Sequence, residues 1–136
     1  MATKVMDSWA LMALFNNEPS ADEVEKIFQH AVASRHRLLM SVVNWGEIYY
    51  AVMRGASRAM ADQKAREIAS MPLEIVPADL PLTHQAALFK AAHKMSYADC
   101  FAAALAKVKN CELVTGDPEF KEVGKEIKVH WLKAAT

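Results

Sequence analysis

Apolar residues along this chain fall into short runs rich in Val, Leu, Ile and Met, separated by longer stretches with helical periodicity. Lys4–Met6 reads as a first strand entering a helix over Trp9–Phe15, and Asn16-Asn17-Glu18-Pro19 reads as a loop. Ser20 with Glu23 makes a capping-box pattern for a helix running to about Ser34. Arg37–Met40 is a second strand; Ser41 caps a helix through Met53, with Gly55 as its C-terminal stop. Ser57–Ser70 is an alanine-rich helix ended by Pro72, and Leu73–Val76 is a third strand. Pro81–His93 and Ser96–Val108 are two further helices. Glu112–Thr115 is the fourth strand, Pro118–Val123 a short helix and Lys128–Trp131 the last strand.

Short strands separated by helices predict a parallel sheet covered on both faces. Ligands of such sheets bind outside the carboxyl ends of the strands, where the connections diverge. Four acids draw attention on that ground: Asp7, Glu47, Asp99 and Asp117. Asp7 and Asp117 fall at predicted strand carboxyl ends, and Asp99 lies in a first helical turn. Converging carboxylates raise one another's pKa and resist joint ionisation, and a hard divalent cation with oxygen ligands is the common remedy.

Each acid also has a purely structural reading. Ser96-x-x-Asp99 is a capping-box-like pattern, and Asp117 before Pro118 is a good N-cap. Asp7 between a strand and a helix could equally be a cap. Glu47 escapes this explanation, because it lies near the middle of the Ser41–Met53 helix, where no cap is needed. It faces solvent on a narrow strip or turns into a polar site. The cap and ligand readings are compatible, since helix N-termini hold nearby carboxylates ionised.

Composition narrows the class without choosing the chemistry. The 136 residues suit one domain, 1–136, with 53% apolar and 24% charged residues. No apolar stretch approaches the roughly 18 residues of a membrane span, and the first apolar run contains Asp7, unlike a secretory leader. Cys100 and Cys111 follow no metal or disulfide spacing, and Cys100 reads as a small core residue, so a reducing cytoplasm is the simplest compartment. Sixteen basic and sixteen acidic residues cancel. Arg54, Arg58, Lys64 and Arg66 cluster against Asp62, a run whose usual reading is a solvated helix face and whose alternative is a phosphate-steering patch. The five histidines are scattered without zinc-ligand spacing, and neither a phosphate-binding glycine loop nor a Gly-x-Ser-x-Gly elbow is present.

Val5-Met6-Asp7-Ser8, Ser41 to Tyr50 with Asn44-Trp45-Gly46-Glu47, Ser96-Tyr97-Ala98-Asp99 and Leu113 to Phe120 with Thr115-Gly116-Asp117-Pro118 stand in a fixed order. Together they resemble the PIN domain, and most closely its compact VapC-type toxins of type II toxin–antitoxin systems. The resemblance covers essentially the whole chain. It implies a three-layer α/β/α sandwich whose central parallel five-stranded sheet is ordered 3-2-1-4-5, with Asp7 and Asp117 meeting at the topological switch point. It makes Asp7, Glu47, Asp99 and Asp117 the catalytic, metal-holding acids for Mg²⁺ or Mn²⁺. Ser8 and Thr115 match small hydroxyl positions that orient carboxylates or water, and Glu119 matches an acid found in some relatives. Trp9 is bulkier than the small residue often found at its position.

The resemblance implies a cytoplasmic, metal-dependent endoribonuclease leaving 5′-phosphate and 3′-hydroxyl ends. Its implied partners are an RNA substrate, a cognate antitoxin and a second copy of the chain. The alternatives are a housekeeping RNA-processing PIN nuclease and a non-catalytic PIN-like module whose acids bind a basic peptide. A phosphorylatable receiver-like domain fits poorly, because Asp7 is followed by Ser8 rather than by a paired acid and the last strand runs into Trp131.

Overall fold

The strand at the centre of the sheet is the first one in the chain. A computed structural model describes residues 2–133 and places β1 (Thr3–Met6), β2 (Arg37–Ser41), β3 (Glu74–Val76), β4 (Glu112–Thr115) and β5 (Val129–Trp131) in one sheet, ordered β3-β2-β1-β4-β5. All four pairings are parallel; Val5 lies opposite Leu39 on one side and Leu113 on the other. The expected order is found. The chain builds outward from β1 to β3, then returns to the other side of β1 for β4, so the switch point lies between β1 and β4.

Strand alternation sorts side chains into two cores. Val5, Leu39 and Leu113 point into the layer formed by α5 (Leu80–Ala92) and α6 (Tyr97–Lys109), with Phe89, Met95 and Leu105. Met6, Leu38, Met40 and Val114 point into the opposite layer, against α1 (Ser8–Phe15), α2 (Ala21–Ser34), α3 (Val42–Gly55) and α4 (Arg58–Ala69). Helix α6 is buried from Asp99 through Ala106, and its alanines let it approach the sheet closely. Cys100 is one of these core residues, and burial pushes its thiol pKa up.

Several boundaries follow from caps the sequence displays. Ser41 accepts from the Val43 N–H at 3.2 Å, Ser57 from Met60 at 3.0 Å and Ser96 from Asp99 at 3.1 Å. Helix α5 starts one residue earlier than expected, because Asp79 caps it through the Leu82 N–H at 3.0 Å. The Pro118–Val123 helix is 3₁₀.

Two local expectations fail. The Ser20–Glu23 capping box does not form: Ser20 makes no cap bond and donates its hydroxyl to the Lys133 carbonyl. Glu23 instead meets His130 Nε2 at 3.1 Å and accepts from the Lys133 N–H at 3.3 Å. Partners more than 100 residues away outcompete the local pair. Gly55 is the last residue of α3 rather than a left-handed stop, and Ala56 follows as the C-cap.

Leu113 is fully buried beside the site-bearing end of β4. Leu113→Ala is expected to cost about 2–5 kcal/mol through lost burial and a residual cavity, read as a lower urea midpoint at unchanged slope.

Candidate active site

The site is assembled at the carboxyl edge of β1 and β4, where the connections part. Asp7 directly follows β1 and is only 1% exposed. Its Oδ1 accepts from the Ala10 N–H at 2.8 Å, capping α1, and its Oδ2 accepts from the Thr115 hydroxyl at 2.5 Å. Thr115, fully buried at the end of β4, also accepts from the Asp117 N–H at 3.0 Å. One hydroxyl thus joins the acid after β1 to the acid after β4. Asp117 in turn caps the 3₁₀ turn, its Oδ1 accepting from the Glu119 N–H at 2.9 Å.

Asp99 enters from the first turn of α6, where Ser96 holds its backbone N–H. One oxygen each from Asp99, Asp117 and Glu119 lie within 4.8 Å of one another. Glu47 reaches the same recess from the middle of α3 and accepts from the Ser8 hydroxyl. This answers the open question about Glu47: it turns inward. Ser8, Glu47, Asp99, Asp117 and Glu119, with Trp9 as a wall, line an open recess of about 430 Å³.

The structure thus brings all the sequence-selected acids to one place but ranks them differently. Glu119, a supporting residue by sequence, belongs to the tightest trio, while Asp7 lies beneath it with both oxygens already engaged. Burial pushes the Asp7 pKa up to about 8, against the lowering hydrogen bonds of Thr115 and Ala10, and the charges of Asp99 and Asp117 add to the rise. Burial likewise pushes Asp99 up to about 7, helped by the charges of Asp117 and Glu47. An all-oxygen donor set at this crowding fits a hard divalent cation, which would offset the repulsion.

Asn44 carries no sequence expectation, yet it is fully buried one turn before Glu47 on α3. Its Nδ2 donates to the Ala98 carbonyl at 3.1 Å, tying the helix that carries Glu47 to the turn that carries Asp99. Its Oδ1 has no partner among the described residues. The available signal was an amide set among Val42, Val43, Trp45 and Gly46, three positions before Glu47. Gly116 matters for space rather than for conformation. A Cβ there would collide with the six-membered ring of Trp9, which packs against Gly116.

Three of the four cations in the basic run have local partners, and Arg66 is exposed. Arg58 stands 3.9 Å and the Tyr49 hydroxyl 2.6 Å from Asp62, Lys64 pairs with Glu67 at 3.0 Å, and Arg54 lies over the Tyr50 ring.

The PIN domain family model matches residues 4–126. The chain belongs to the PIN-domain family. Solved PIN-fold relatives share the architecture at low identity. A chain of the VapBC2 complex from Rickettsia felis bound to a promoter DNA fragment is 17% identical, with a TM-score of 0.75 over 96% of this chain and 99% of that one. A chain of DNA-bound VapBC from Salmonella typhimurium is 15% identical, with a TM-score of 0.76 over 96% of this chain and 98% of that one. VapC20 of Mycobacterium tuberculosis, a toxin that cleaves the sarcin–ricin loop, is 18% identical, with a TM-score of 0.71 over 89% and 95% of the two chains. No curated protein matches by sequence. Among the described residues of this PIN domain, no helix is long and apolar enough to cross a membrane.

The crowding of the acids makes stability depend on pH. Asp7 and Asp99 have folded-state pKa values above the ordinary 3.8, so between about pH 4 and pH 8 the metal-free folded state holds protons that the unfolded chain has released. Stability should be highest below that window, fall as pH rises through it by up to ~1.4 kcal/mol per unit for each group, and level off above it. Mg²⁺ or Mn²⁺ should therefore raise the melting temperature more at pH 8 than at pH 5; equal shifts would count against carboxylate binding. Gly116→Ala should displace the Trp9 ring and cost about 1–3 kcal/mol by overpacking. Gly46→Ala, on α3 with open space at its Cβ, should instead stabilise by about 0.5–1 kcal/mol. Chemical denaturation of the two variants reads both.

Proposed function

We propose that this PIN-domain protein is a metal-dependent endoribonuclease and the toxin of a VapBC-type toxin–antitoxin pair. The observation that carries the reading is the convergence of Asp99, Asp117 and Glu119 in an open recess, with Glu47 at its wall and Asp7 beneath. A solitary structural acid would be capped or paired; this set is crowded and short of positive charge. The likeness to chains from VapBC complexes supports the toxin assignment and an antitoxin as partner. The likeness to a sarcin–ricin-loop-cleaving toxin supports RNA as substrate.

In this reading Asp99, Asp117 and Glu119 hold Mg²⁺ or Mn²⁺, with Asp7 reinforcing the site from below. A bound cation of this kind would supply Lewis-acid polarisation of the scissile phosphate and a more acidic bound water. Thr115 keeps Asp7 oriented and fixes the Asp117 backbone, so both acids stay aligned as charge builds on the phosphate. Glu47, held by Ser8, would orient the attacking water and accept its proton. The homodimer implied by the family resemblance belongs to the same proposal.

The test is cleavage of a structured RNA pool by purified protein with Mg²⁺ or Mn²⁺, beside Asp99→Asn protein and an EDTA control. Asp99→Asn should lower cleavage by roughly 100-fold or more while leaving the melting transition in place. Equal cleavage by both proteins would remove the assignment. Growth arrest on expression, relieved by the adjacent small reading frame, tests the toxin half separately.

A further inference from the structure

We propose that the cavity on the far side of Trp9 is a base-binding subsite, stacking the nucleobase next to the scissile phosphate on the Trp9 indole. The inference rests on the nuclease reading above and deepens it. A second cavity of about 260 Å³ adjoins the acidic recess, and Trp9 and Met12 line both. The two spaces are therefore neighbours across one indole. A strand whose phosphate lies at Asp99, Asp117 and Glu119 brings the adjoining nucleotide to that wall.

The lining suits a base and not a phosphate. Trp9, Met12 and Pro19 supply flat apolar surface, Asn16 and Glu18 supply polar atoms, and no Lys or Arg lines it among the described residues. Bases stack on aromatic side chains in single-stranded recognition, with effects of roughly 5- to 100-fold per base on binding. Trp9 is suited to this because its ring is wedged against Gly116, so the platform is held still beside Asp117. The opposite wall is also fixed. Asn16 N–H donates to the Met12 carbonyl and Glu18 N–H to the Ala13 carbonyl, each at 2.9 Å, while Asn17 takes the left-handed conformation that turns the loop.

Glu18, exposed at the rim, only accepts hydrogen bonds, and every base can turn a donor toward it, an exocyclic amino group or a ring N–H such as uracil N3–H. The subsite therefore selects for a stacked base rather than for one base.

Two measurements test this. In metal-free buffer with EDTA, the indole N–H signal of Trp9, assigned by its loss in Trp9→Phe, is followed by NMR while cytidine, adenosine or uridine is added. The Trp9 signal should move on addition of each nucleoside. A Trp9 signal unmoved by any nucleoside overturns the subsite whether or not the protein cleaves RNA. In the second, initial rates of cleavage of a random RNA pool with Mn²⁺ are compared. Trp9→Leu should raise KM roughly 10-fold, and Trp9→Phe, which keeps an aromatic platform, should change it far less. An unchanged KM in Trp9→Leu overturns the proposal. Absence of cleavage by wild type would count against the nuclease reading and leave the nucleoside titration to decide the subsite.

Discussion

Negative charge that cannot spread out governs this fold's upper edge. Five carboxylates converge where β1 and β4 part, and burial strips Asp7 and Asp99 of the water that would otherwise screen them. The backbone supplies only partial relief. Helix starts lend Asp7 and Asp117 their N–H groups, and Thr115 bridges the two. The parallel sheet is what makes the crowding unavoidable, because reversing direction between β1 and β4 sends two adjacent strand ends into one gap.

That arrangement separates labour between the two helical layers. Helix α6, buried along most of its length, delivers Asp99 from a rigid support. Helix α3 delivers Glu47 from the other side of the recess, and Asn44 pins the two helices together where they approach. The carboxylates thus depend on elements whose relative position is set by the cores rather than by the loops. A change in packing beneath Asn44 would alter the distance between Glu47 and Asp99 without touching either.

Much of this was legible from the sequence because it is local. Asp7, Asp99 and Asp117 stand at element boundaries that apolar runs and cap residues mark plainly, and the strand order followed from the family resemblance. What escaped was long-range. Glu119 ranked low because only the tightness of a 3₁₀ turn brings it beside Asp117 and Asp99. Asn44 looked like one polar residue in an apolar helix until its partner on α6 was visible. Trp9 could be seen to be bulky, but not that Gly116 makes room for it. The Ser20–Glu23 box went wrong for the same reason, its members being claimed by His130 and Lys133.

Those last contacts have a consequence in time. A chain emerging from the ribosome presents Ser20 and Glu23 long before His130 and Lys133 exist, at synthesis rates of roughly 5–20 residues per second. The contacts that finally hold the start of α2 are therefore among the last the chain can form, and they join the second helix to the end of the last strand.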